Sequence, residues 1–311
     1  MTSTVRDATR VAPPAASRGT TGPAASLTDG LLLLTTLIWG ANYAVVKYGA
    51  SVVRPLAYNS ARVAVAAVVL VALAAGSRRV KRFARRDLLA LLALGVLGNG
   101  LYQFLFVEGI ARTRAGDAAL VVASTPALVA LLGRVLGVER VGARAAGGII
   151  LSIAGVGCVV FGASVAPGGQ STVVGNLIIL VGAACWALYT VLLKPYANRL
   201  DALGVNAITM TGGAIPLLLI AVPALAATPW RHLGAGAVGA IAYGSIGSLV
   251  IAYLFWYRGI RVLGPTRTAT YSNLQPLVAI LVAWLFLREV PTPWQWGGAV
   301  AIIAGVIMTR T

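Results

Sequence analysis

The stretch Pro126–Val156, PALVALLGRVLGVERVGARAAGGIILSIAGV, has a later counterpart in Pro276–Val306, PLVAILVAWLFLREVPTPWQWGGAVAIIAGV. Pro126 aligns with Pro276, Glu139 with Glu289, and Gly147-Gly148 with Gly297-Gly298. Ile153-Ala154-Gly155-Val156 aligns with Ile303-Ala304-Gly305-Val306, and every pair is 150 positions apart (276 − 126) with no gap. Gly109-Ile110 and Gly259-Ile260 keep the same offset, and Trp39 and Lys47 stand eight apart, as do Trp186 and Lys194. Apolar composition can align Ala with Val by chance. It does not align a proline, an acid, a glycine pair and a Trp–Lys spacing in order. The chain reads as one unit written twice.

Composition identifies the solvent of that unit. The chain is 59% hydrophobic and 11% charged, with a mean hydropathy of +0.86. A soluble domain carries roughly a quarter charged residues to cover its surface. The shortage here means that most of the exterior faces lipid. A helix crosses the bilayer with ~20 mostly apolar residues. Runs of that kind fall near 30–48, 56–75, 88–108, 115–136 and 144–163, then 174–193, 203–226, 233–257, 265–287 and 294–308. The expected fold is an all-α integral membrane protein with ten transmembrane helices. The first unit covers 30–163 and the second 174–309, joined by an uncharged Gly/Pro-rich linker over 164–173. Residues 1–28, rich in Ala, Ser, Thr, Pro and Arg, read as a disordered tail. The first apolar run has no clear small-residue cleavage site and reads as a retained span.

A net charge of +17 would suggest nucleic acid in a soluble protein. Here the basic residues lie in short gaps between spans, where they set orientation. With the N-terminus in the cytoplasm, inside segments hold Arg6, Arg10, Arg18, the RRVKRFARR cluster (Arg78–Arg86), Arg140, Arg144, Lys194, Arg199, Arg258, Arg261, Arg267 and Arg310. Outside segments hold Lys47, Arg54, Arg112, Arg114, Arg231 and Arg288. The asymmetry places both termini inside. Five spans per unit is odd, so the second unit enters from the opposite side and the pair forms a 5+5 inverted-topology repeat. Such a pair supplies two similar conformations, one open to each side, and alternating access is its natural use.

These motifs resemble the two EamA repeats of the drug/metabolite transporter superfamily. The resemblance rests on WGANYAVVK (Trp39–Lys47) and on the twice-written P-x(12)-E-x(7)-GG-x(5)-AGV pattern, and it covers about 30–309. It implies a ten-helix carrier of the bacterial plasma membrane, usually an exporter of amino acids or similar small metabolites. Nucleotide-sugar or other organic-solute exchange within the same superfamily is the alternative. Proton coupling is an expectation of the family, and no carboxylate in the sequence is marked as its carrier.

Polar groups deep in a span are costly and usually face a bundle interior or watery cavity. Asn42 and Tyr43 sit halfway through the first span, with Trp39 one turn before Tyr43. Trp186 and Tyr189 repeat the aromatic pair in the second unit. The third span adds Asn99, Tyr102 and Gln103, and its counterpart Ser248, Tyr253 and Trp256. Tyr271, Asn273 and Gln275 precede Pro276. These residues line a solute pathway on one reading; on the other they are interhelical hydrogen bonds and ordinary packing. Lys47 and Lys194 fall near opposite membrane faces, as snorkelling ammoniums or as charges for a gate or for a substrate carboxylate. Pro126 and Pro276 each remove a backbone hydrogen bond, freeing the carbonyls of Val122 and Ser272 for a kink or a solute contact. Glu139 and Glu289, each beside an arginine, read as interfacial caps or ion pairs. Glu108 and Arg112 read as an exposed i, i+4 pair. Arg62 and Arg134 lie within apolar runs.

A membrane-embedded enzyme would need facing aspartates, a Ser–His pair or a metal cluster within its spans. Every aspartate lies in a tail or at a span end, and His232 is the only histidine. Cys158 and Cys185 sit in separate apolar runs and imply neither a disulfide nor a zinc site. No phosphate loop of the GxxxxGK[ST] kind is present. The expected partners are a small solute and membrane lipids, with no nucleic acid and no cofactor. The oligomeric state is open, monomer included.

Overall fold

The computed structural model of the chain describes residues 23–77, 83–137, 142–165, 172–263, 271 and 274–310. Their helices are α1 (Pro23–Val52), α2 (Pro55–Gly76), α3 (Arg85–Ile110), α4 (Ala115–Val135), α5 (Ala143–Val165), α6 (Val173–Arg199), α7 (Ala202–Ala226), α8 (Ala235–Gly259), α9 (Gln275–Leu287) and α10 (Pro293–Arg310). The first eight contain stretches long and apolar enough to cross a membrane; α9 and α10 are shorter apolar helices. The predicted ninth span begins at 265, where residues 264–270 lie outside the described residues, as do 1–22 of the expected tail and 166–171 of the expected linker.

Local chemistry ends the helices where the chain must turn. Pro55 opens α2, where a missing N–H costs nothing. Thr172 caps α6 by accepting from Gly175 N–H at 2.9 Å, and Asp201 caps α7 by accepting from Gly204 N–H at 3.0 Å. Gly137, at φ 68°, follows α4 in the left-handed conformation that favours glycine. Outward-facing positions carry large apolar side chains: Phe286 is 78% exposed, and Leu219 and Val300 are similarly bare. A soluble fold cannot leave such patches open; hydrocarbon covers them at no cost.

The twice-written motif meets itself. α5 packs along α10. A Cβ on Gly155 would lie 2.9 Å from the Gly298 carbonyl, and one on Gly305 would lie 2.5 Å from the Gly148 carbonyl. Gly155 and Gly305 are equivalents, as are Gly148 and Gly298, so the two contacts are one contact seen from each unit. Later residues of α5 meet earlier residues of α10, so the helices run antiparallel. At the centre, Ser152 Oγ donates to the carbonyl of Ile302, its own equivalent, at 3.1 Å. Small residues allow this backbone approach, which is how helices associate strongly in lipid.

The remaining large contacts obey the same exchange. α1 packs on α9 as α6 packs on α4, α1 on α8 as α6 on α3, and α2 on α8 as α7 on α3, while α2 meets its equivalent α7. Each of these joins one unit to the other. Both α3 and α8 contain a π-helical segment, Val96–Leu101 and Tyr243–Ile251. The 150-residue offset carries the first onto 246–251, within the second. Insertions of this type recur at functional sites.

Candidate solute pathway

Between the units lies a chain of aromatic rings. Tyr43 of α1 meets Phe106 of α3 edge-on at 5.5 Å, and Phe106 meets Tyr102 at 5.8 Å. Tyr102 lies 5.0 Å from Trp186 of α6, which lies 6.1 Å from Tyr253 of α8. Tyr253 meets Trp39 at 5.7 Å, returning the chain to α1, and Trp39 touches Trp256 at 5.2 Å. Tyr189 joins through Trp186 at 5.1 Å. Trp39, Tyr43, Tyr102, Trp186, Tyr189 and Tyr253, read from separate spans, are thus brought together.

The π segments hold this cluster. Trp39 Nε1 donates to the Ser248 carbonyl at 3.0 Å, and the Tyr243 hydroxyl donates to the Ile38 carbonyl at 2.9 Å. In the other unit Gly98 gives room for the ring of Tyr189. Asn42 is buried and its Oδ1 has no donor, and Gln103 is buried with its Oε1 accepting from Arg62 Nη2 at 2.6 Å. The rings touch one another across the two units. The groove of about 490 Å³ between α2, α3 and α7 is elsewhere, lined by residues such as Val71, Phe83 and Ile208.

The last residues of α1, the start of α4 and the end of α9 form a second polar centre. Lys47 Nζ lies 3.2 Å from Glu289 Oε1 and donates to the Thr113 carbonyl. Glu289 Oε2 accepts from Ala115 N–H at 2.9 Å, so its charge also faces the positive end of α4. Arg114 Nη2 donates to the Val290 carbonyl, and Gln295 Nε2 donates to Asp117 Oδ1 at 2.7 Å. The Glu289 side chain is 4% exposed and Lys47 22%. The acid beside Arg288 therefore pairs with a lysine of the other unit. At the opposite end, Asp87 pairs with Arg199, but Arg199 is 53% exposed. Its hydrogen bond to Asp87 raises the guanidinium above the ordinary arginine range. One end holds a mostly buried ion pair, the other a wet one.

Other sequence-named residues lie apart. Tyr271 is bound to the first part of α1: its hydroxyl donates to Asp29 Oδ1 at 2.7 Å, and its carbonyl accepts from Thr36 Oγ1 at 3.0 Å. Gln275 begins α9, with its carbonyl near Gly40, and Pro276 follows it in the first turn. Asn273, Ser272 and Glu139 are outside the described residues. Lys194 is exposed on α6. At Pro126, Thr125 Oγ1 donates to the freed Val122 carbonyl at 2.6 Å, so that break in α4 is satisfied internally. Arg112 Nη1 meets Glu108 Oε2 at 2.6 Å, as the i, i+4 spacing predicts. Phe106 and Tyr257 join the aromatic cluster without having been singled out; an aromatic residue every third or fourth position after Tyr102 and Tyr253 was the signal.

A duplicated helical membrane protein with its polar and aromatic side chains between the copies defines a transporter class. The EamA-like transporter family pattern matches residues 26–161 and 173–311, and the chain belongs to that family. It is 30% identical over 285 residues to an uncharacterized transporter of Archaeoglobus fulgidus, covering 91% of this chain and 97% of that relative. It is 28% identical over 282 residues to the uncharacterized transporter YyaM of Bacillus subtilis, covering 89% and 91%. A probable terminal-alkyne amino-acid exporter of Streptantibioticus cattleyicolor is 28% identical over 280 residues, with coverage of 89% and 91%. One solved crystal structure aligns at a TM-score of 0.64 with 20% identity, over 91% of this chain and 97% of that one, a likeness of fold.

Proposed function

We propose that the protein is a secondary carrier of the bacterial plasma membrane that exports amino acids or similar small metabolites by alternating access. Both termini lie in the cytoplasm, and the two units form the 5+5 inverted repeat. One observation carries this reading: the aromatic cluster and its polar neighbours lie where the two units meet, while the Lys47–Glu289 network closes one end of that same interface. Rocking the units apart at Lys47 separates charges, exposes the rings to one aqueous side, and leaves the contacts at the Asp87–Arg199 end in place. In the proposed orientation the Lys47 end faces outward. The amino-acid exporter among the relatives supports the solute class.

The test is counterflow in proteoliposomes with a panel of amino acids, with and without a pH gradient. Exchange of at least one member, weakened in Trp39→Ala, is the expected result. A gradient that accelerates uptake identifies proton coupling. If no member exchanges under either condition, the carrier reading for this solute class is wrong.

A further inference from the structure

Arg62 is the largest fully buried side chain among the described residues, at 0% exposure. It lies seven residues past the start of α2, about 10 Å along the helix axis. A guanidinium has five N–H donors and no acceptor. The two on Nη2 reach Gln103 Oε1 at 2.6 Å and Asn59 Oδ1 at 3.2 Å. Nε and Nη1 have no partner, and neither has Nδ2 of Asn59 beside them. Every unmet hydrogen bond of this pair is a donor.

The usual remedy for a buried cation is a carboxylate. The chain has eight acidic residues. Asp7 and Glu139 lie outside the described residues, and the other six are engaged elsewhere: Asp29 with Tyr271, Asp87 with Arg199, Glu108 with Arg112, Asp117 with Gln295, Asp201 at the α7 cap, and Glu289 with Lys47. A buried charge with no counter-charge among the described residues is among the most expensive arrangements a fold can hold. Yet the surroundings are built around it. Gly244, in the π segment of α8, leaves room for the Arg62 stem, since a Cβ there would lie 2.5 Å from Cδ. The Tyr58 ring stands 5.9 Å from Cζ. Gln103, which holds Nη2, directly follows Tyr102 of the aromatic chain.

We infer that Arg62 receives the carboxylate of the transported solute, with Asn59 as a second donor and the Tyr102–Trp186 rings against the solute's apolar part. This inference rests on the carrier reading and narrows it to carboxylate-bearing solutes. Guanidinium and carboxylate match in charge and in hydrogen-bond sense, and the pair excludes an amide of the same shape.

The probes are benzoate and benzamide, titrated against purified protein in lipid nanodiscs while tryptophan fluorescence is followed. Trp186, 5.0 Å from Tyr102, supplies the signal. Wild type is expected to bind benzoate roughly 10- to 100-fold more tightly than benzamide, the range for losing a charge-assisted hydrogen bond. Arg62→Gln removes the preference. Gln103→Glu places a fixed carboxylate against Nη2; it is expected to fold at least as well as wild type and to lose benzoate binding. Equal binding of the two probes by wild type, no binding of either, or unchanged benzoate affinity in Gln103→Glu overturns the inference. Counterflow separates the two readings. Amino-acid exchange with no acid-over-amide preference defeats the Arg62 inference alone. Arg62-dependent benzoate binding without amino-acid exchange defeats the amino-acid reading alone.

Discussion

Glu289→Gln isolates the charge proposed to seal the Lys47 end. The amide keeps the shape and still accepts from Ala115 N–H, while the ion pair with Lys47 and the charge facing the start of α4 are both lost. At 3.2 Å an effective dielectric of 20 gives roughly 5 kcal/mol of attraction, before desolvation is subtracted. Both side chains are mostly buried, yet Lys47 keeps 22% of its surface in contact with solvent, which screens part of that attraction. The loss therefore falls between the fully buried and surface limits, at about 1–3 kcal/mol. The closed form carries the whole of it, since separating the units breaks the pair anyway. The open population should rise about 5- to 150-fold.

The assay is maleimide labelling of Ala115→Cys in a background without Cys158 and Cys185, with an impermeant reagent added from the Lys47 side. Ala115 is fully buried in the closed form, and the substitution adds one sulfur without touching its backbone N–H. When reclosing outpaces labelling, the rate follows the open population. Glu289→Gln should accelerate labelling by the factor above, and adding Lys47→Met should change it little further, because the interaction has already gone. Equal rates in the presence and absence of Glu289→Gln, or acceleration only from the opposite side, would refute a sealing role for the pair.

The Gly-Gly pair of the repeated motif should divide under substitution. Gly298→Ala puts a methyl 2.5 Å from Val159 Cγ2 and 2.9 Å from the Gly155 carbonyl and should cost about 1–3 kcal/mol in thermal unfolding, whereas Gly297→Ala meets nothing within 4 Å and should be neutral. Trp39→Phe keeps an aromatic ring but removes the hydrogen bond to the Ser248 carbonyl, and should lower stability by about 1 kcal/mol and slow counterflow. Arg199→Gln removes only a solvent-exposed partner of Asp87, so its unfolding temperature should match wild type within error. Lys47→Cys and Lys194→Cys should label from opposite faces of oriented vesicles; labelling from one face would refute the inverted arrangement.

Eight of the ten expected spans were legible because hydrocarbon imposes a length on every crossing helix, and the duplication because a gapless offset preserves rare residues. The same offset aligned the glycines, but only the packing of α5 on α10 shows that Gly155 meets Gly298 and Gly305 meets Gly148. Aromatic residues at matching depths in α1, α3, α6 and α8 had to converge once the units packed face to face. Pairing of charges was less legible. Glu289 stands beside Arg288 in sequence, and nothing local says that a lysine 242 positions earlier (289 − 47) lies closer in space. The π segments leave no mark in hydropathy, because an α-turn and a π-turn of apolar residues read alike. Arg62 did leave one: a cation inside an apolar run has to be answered by something. Sequence offers Gln103 and Asn59 no more readily than any other amide, and only the folded arrangement reveals that both answer a single nitrogen. Among the described residues the remaining N–H groups are unanswered, and on the inferred role a permanent carboxylate there would compete with the solute. If Arg62 receives the solute as inferred, its charge must stay unpaired for part of each cycle, and the stability lost there is the condition for binding and release at the same place.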